Sequence, residues 1–223
     1  MTNRPPPFPA AALEDVPVFP LADVTLFPGA MMPLHIFEGR YRALVRSAID
    51  THRCVAMARL LDPARQLTDD VPFDPVAGLG VIAQAVELPD GRFHVLLHGT
   101  ARVTLSELAF EAPFRRARAV VRTCENDVSG GDLTAIDTLA RSFGSALLRL
   151  KPTFQLELPP LVPGDDDEGY IDALAAVFVS DAAARQAVLE AARLSRRAEL
   201  LLEALAQHHA EISASAGLGG WVN

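Results

Sequence analysis

Lysine is almost missing from this sequence. Its 223 residues include one, Lys151, set between Leu150 and Pro152. In that context it cannot close a G-x-x-x-x-G-K-[ST] loop, whose lysine reaches the phosphates of a nucleotide. Cysteine is nearly as scarce. Cys54 and Cys124 do not suggest a disulfide framework, and a reducing, cytoplasmic setting fits such a chain best. No apolar run is long enough to span a bilayer, so no membrane partner is expected. An excess of basic residues is missing too: 20 Lys and Arg stand against 28 Asp and Glu. The imbalance sits beyond residue 124, where 15 acids face 7 bases. That distribution argues against a nucleic-acid footprint, which needs clustered positive charge.

What is present is apolar. Half the residues are hydrophobic and mean hydropathy is +0.20, so the chain is globular and long enough for one large or two small domains. Residues 1–12 hold one arginine and four prolines but no apolar core segment. They read as a flexible tail, not a signal peptide.

Residues 16–46 organise the rest. Two short apolar runs, 16–21 and 24–27, are interrupted or ended by proline, which donates no backbone hydrogen bond. They read as edge or irregular strands. Pro28-Gly29 signals a type II turn, and residues 31–37 form a further extended run. From Glu38 the period changes. Tyr41, Leu44, Val45, Ala48 and Ile49 recur at helical spacing and predict an amphipathic helix.

The order Val16-Pro17, Phe19-Pro20-Leu21, Leu26-Phe27-Pro28-Gly29, Pro33-Leu34-His35-Ile36-Phe37-Glu38, Arg40-Tyr41-Arg42 resembles the N-terminal substrate-binding domain of the ATP-dependent Lon proteases. Asp90-Gly91-Arg92, Leu97, Gly99 and Arg102 match that family's second block. Gly39 departs from it, standing where proline is usual and suits a first helical turn better. The resemblance covers about residues 13–212. It implies an α+β fold: a PUA-like twisted sheet or pseudo-barrel with one packed helix, then a C-terminal helical bundle. It also implies recognition of polypeptide. The family's peptidase pairs a serine with a lysine and its ATPase uses the phosphate loop. With Lys151 alone, and with this length, neither module is expected here.

The domain plan that follows is a tail at 1–12, a β-rich domain at 13–124, a linker at 125–131, a helical domain at 132–213 and a tail at 214–223. Within it, residues 54–61 and 78–88 read as strands. The intervening 62–75, with three prolines, reads as a surface loop. Pro89-Asp90-Gly91 is a tight turn into a long strand or bent pair at 92–108, and residues 114–124 alternate as a strand. Helices follow, with Asp132, Ser180 and Ser195 as the expected caps. Ile136, Leu139, Ala140, Phe143, Leu147 and Leu150 form the face of the first. Leu174, Val177, Phe178, Val188, Leu189, Leu201 and Leu205 fill the rest of the core.

Most chemical motifs have a plainer explanation. Gly78-Leu79-Gly80-Val81-Ile82-Ala83 matches a dinucleotide fingerprint but precedes a strand, where that motif follows one. His94 and His98 share a strand face about 13 Å apart, too far for one metal. His35 and His52 are not read as metal ligands. Asp165-Asp166-Asp167-Glu168 lacks the spacing of a calcium loop and suits a helix start. Arg115, Arg116, Arg118 and Arg122 could meet phosphate, but without interleaved aromatics they suit the wet face of a strand. No G-x-S-x-G elbow occurs. No catalytic residue, cofactor or metal is therefore expected.

The stretch flanking the Pro28-Gly29 turn is different. Met31 and Met32 are adjacent in a strand and cannot both face one core. Methionine repacks easily around varied side chains. Phe27, Met31 and Met32 are the candidate polypeptide-binding residues. The expected function is non-catalytic binding of unfolded or extended polypeptide, as an adaptor or chaperone-like factor. A PUA-like small-molecule or RNA-binding module and an enzyme with a dispersed site are the alternatives.

Overall fold

The computed structural model describes residues 8–62, 64, 71–150, 153, 156–162 and 164–218. Lys151 and half of the 62–75 loop lie outside the described residues. The chain divides into two compact units, Met1–Thr123 and Cys124–Asn223.

The first unit carries β1 (Val16–Leu21), β2 (Met31–Ile36), α1 (Gly39–Asp50), β3 (Cys54–Arg59), β4 (Val76–Glu87), β5 (Phe93–Glu107) and β6 (Arg115–Val121). Strand order is β2-β5-β4-β3-β1-β6, and β6 also pairs with β5. Five strands therefore close on one another, and β2 alone stays outside the ring, on the first half of β5. Register shifts between Leu79 and Gly80 and between Ile82 and Gln84 interrupt the β4–β5 ladder. Such irregularities bend a strand, which lets β5 serve β2 with residues 93–98 and β6 with residues 103–107.

Alternation divides the side chains between two cores. Val16, Val18, Cys54, Ala56, Ala58, Ala77, Leu79, Val103, Leu105, Ala117 and Ala119 come from all five ring strands and pack together. Many are alanine, as the narrow interior of a small barrel requires. Phe8 and Ala12 join them, and Ala10–Leu13 forms a 3-10 helix. Residues 8–12 are thus not a flexible tail: their apolar side chains have a core to enter. On the other side, Tyr41, Leu44, Val45 and Ala48 of α1 pack on Phe19, Val55, Met57, Ile82, Val95 and Leu97.

Residues 24–27 do not form the expected strand. Leu26 and Phe27 are fully buried in a loop lying directly on glycines of β4 and β5. A Cβ at Gly78 would stand 2.0 Å from the Leu26 carbonyl oxygen, and one at Gly99 2.1 Å from that of Phe27. The Gly78-Leu79-Gly80 motif therefore serves close packing. Pro28-Gly29 makes the expected turn: Gly29 has φ +80° and Ala30 N–H donates to Phe27 at 3.1 Å.

The second unit contains α2 (Gly130–Leu150), α3 (Asp167–Phe178), α4 (Ala182–Glu190) and α5 (Leu194–Leu218). Its caps differ from expectation. Ser129 caps α2, and Asp132, three residues on, bonds back to the Ser129 N–H and hydroxyl. Asp181, not Ser180, caps α4. Ser195 lies inside α5, where its N–H and hydroxyl both donate to Asp127. Residues 125–131, read as a linker, are taken up by this unit: Glu125 pairs with Arg193, and α2 begins at Gly130. Asp166 of the acidic run caps α3. Leu139 and Val177, expected in the core, are 53% and 42% exposed.

Candidate polypeptide-binding surface

The geometry around β2 follows from its register. Met31 stands opposite His98, and Gly99 N–H donates to the Ala30 carbonyl at 2.8 Å. That bond makes Met31–His98 a non-hydrogen-bonded pair, so Met32, Leu34 and Ile36 are the residues that bond to β5. The backbone groups of Met31, Pro33 and His35 point away from the sheet, and proline removes one of those donors. Among the described residues no strand pairs with this outer edge. Proline on such an edge limits unwanted pairing but leaves its carbonyl free to accept.

Side-chain direction follows the same alternation. Met32 and Leu34 pack against the α1 core. Met31 faces the other way and is 50% exposed. Phe27, the third expected contact, is 0% exposed. It holds the turn from within and is not accessible to a partner. Sequence reasoning missed Val86, which shares the Met31 face through the β4–β5–β2 ladder, and Phe37, 62% exposed just beyond β2.

A groove of about 460 Å³ runs beside β2, lined by Phe19, Leu21, Leu34, Ile36, Phe37 and Tyr41 among others. It arises because β1 pairs with β6 only through Val16, Pro17 and Val18, so among the described residues the Phe19–Leu21 half has no strand partner on that side. The Tyr41 hydroxyl donates to the Pro20 carbonyl at 3.4 Å, and the Phe19 and Tyr41 rings lie 4.1 Å apart. The floor is therefore fixed and apolar.

The other candidates are occupied by the fold. Arg115 pairs with Glu107 and lies over Phe73, Arg116 pairs with Asp15, Arg118 with Glu14, and Arg122 donates to Thr104. Both nitrogens of His52 are engaged, by Asp15 and Cys54. Burial pushes the Cys54 thiol up to about 11, leaving it protonated and inert at neutral pH. Among the described residues no group of three or more His, Cys, Asp or Glu could hold a metal, and no helix is long and apolar enough to cross a membrane.

These features define a class: an α+β protein with a small strand ring, one helix packed on it, an open edge strand, and a separate helical unit. The chain belongs to the family of the ATP-dependent protease La (LON) substrate-binding domain, whose profile matches residues 15–207. It is 25% identical over 202 residues to a Lon protease of Desulfosudis oleivorans, covering 89% of this chain and 24% of that protein. To a Lon protease of Azorhizobium caulinodans it is 28% identical over 207 residues, with 90% and 23% covered. The chain thus spans about a quarter of the length of these relatives. The fold matches the N-terminal domain of Mycobacterium avium complex Lon protease (TM-score 0.63, 16% identity, covering 87% of this chain and 100% of that one). It also matches a Lon N-terminal domain protein from Xanthomonas campestris (TM-score 0.60, 22% identity, covering 85% and 97%).

Proposed function

We propose that this chain binds unfolded or extended polypeptide without altering it chemically, as an adaptor or chaperone-like factor. Membership of a substrate-binding family supports the reading. The observation that carries it is the pairing of an open strand edge with an exposed, adaptable side chain, Met31. An extended segment adds to such an edge through main-chain bonds that ignore sequence, while the thioether repacks around whatever side chain arrives. The groove beside β2 offers apolar contact on the same edge. The acidic second half of the chain disfavours nucleic acid as the partner.

The test is Met31→Ser and Met32→Ser, made singly, with binding to a permanently unfolded model protein measured beside thermal stability. Met31→Ser should weaken binding about fivefold, the worth of a contact of about 1 kcal/mol, and leave stability within about 0.5 kcal/mol. Met32→Ser should destabilise the fold. Unchanged binding in the stable Met31→Ser protein would place recognition elsewhere.

A further inference from the structure

We propose a divalent-metal site at the His35–His94 pair, taking a borderline ion such as zinc. The two residues are direct cross-strand partners on β2 and β5. By the register already derived they form a non-hydrogen-bonded pair, the arrangement in which opposite side chains approach most closely. Their ring centroids are 4.9 Å apart, with planes at 58°. A shared ion would need one nitrogen of each ring at about 2.0–2.1 Å. Both rings are exposed. They border an open hollow of about 560 Å³ that also meets Pro33, Gln84, Val86 and Leu96, leaving room for water to complete the coordination.

A cation stands beside His35. Arg92 Nη1 lies 3.4 Å from His35 Nε2. A guanidinium only donates, so in this contact the nitrogen would accept, with its lone pair turned toward Arg92. Arg92 is itself exposed and paired with Asp90 at 2.6 Å. An arriving metal has to displace it, and its charge opposes the ion. That gives the proposal a sign that a merely structural histidine pair would not produce. Removing Arg92 should tighten metal binding by removing a cation that lies against His35. Bound metal would also fasten the outlying strand β2 to β5, since an ion held only by the folded pair stabilises that fold.

The experiment is titration of the full chain with zinc chloride by calorimetry, with histidine-ring NMR signals followed in parallel and magnesium as the control. Zinc should move the rings of His35 and His94 together, while magnesium, which prefers oxygen ligands, should not. His35→Ala and His94→Ala should each lower zinc affinity at this site about tenfold or more, because one imidazole in water binds weakly. Arg92→Ala should raise it about two- to threefold, a surface charge effect that salt reduces. The ring signals read the site directly in the unaltered protein, so the answer does not depend on how any variant folds. If zinc moves only other histidines, such as His208 and His209, or if Arg92→Ala weakens binding, the proposal fails.

Discussion

The carbonyl oxygen of Phe27 lies over Gly99 so closely that a Cβ there would stand 2.1 Å from it. The contact is fastened from both sides: Gly29 N–H donates to the Gly99 carbonyl at 2.9 Å and Gly99 N–H to that of Ala30 at 2.8 Å. The turn that leads into β2 is seated on this glycine, so the position of the candidate surface depends on it. Gly99→Ala should therefore destabilise the first unit by roughly 1–3 kcal/mol or more, as overpacking against backbone does. Urea unfolding measures it, and a change below about 0.5 kcal/mol would mean that the loop moves aside freely.

Leu44 supplies the centre of the α1 face. It is 0% exposed and packs in the core beneath β2, β5 and β4. Leu44→Ala should cost about 2–5 kcal/mol, the transfer of a large side chain plus the cavity left behind. The same unfolding measurement reads it.

Asp127 holds the start of α5 from 68 residues away, accepting from the Ser195 N–H at 2.9 Å and hydroxyl at 2.8 Å. Those two bonds, with Arg193 nearby, hold its carboxyl below the usual carboxylate range. A depressed folded value means that the stabilisation is present above the unfolded value, about 3.9, and is lost as pH falls through the folded one. Asp127→Ala should thus lower the melting temperature at pH 7, and the gap to the parent should close progressively below about pH 4. A gap that persists unchanged in acid would show that the carboxylate is not the stabilising group.

The two thiols should differ in reactivity. Cys54 is buried and its thiol pushed up to about 11, whereas Cys124 is partly exposed. A disulfide reagent at pH 8 should label Cys124 promptly and Cys54 only after unfolding. Prompt labelling of both would mean that the ring of strands opens readily.

Where the contacts are local, the sequence is legible. The helix at 39–50 falls where helical spacing predicts it, and residues 16–21 form a strand where the apolar run predicts one, but not at an edge: β1 lies between β3 and β6 despite its prolines. The Pro28-Gly29 turn and the Asp90-Gly91 turn, where Gly91 has φ +77°, are set by their own residues. Where burial comes without regular pairing, the reading fails. Leu26 and Phe27 look like strand residues because they are apolar, yet they reach the core from a loop that needs the distant glycines 78 and 99. Asp127 capping α5 and His94 meeting His35 are products of tertiary register, with no neighbour in sequence to announce them. For the same reason the exposure of Met31 rather than Met32 depends on the pairing with His98 and Leu97, although alternation already required the two to face apart.

The central claim is that polypeptide docks at the open edge of β2. The most direct measurement places a diazirine side chain at position 31 or, as a control, at position 120. Val120 is 63% exposed on β6 and equally apolar, but it belongs to the ring and not to the open edge. After mixing with an unfolded model protein and brief irradiation, cross-linked yield should be high from position 31 and near background from position 120. Equal yields, or a higher yield from position 120, would contradict recognition at this edge.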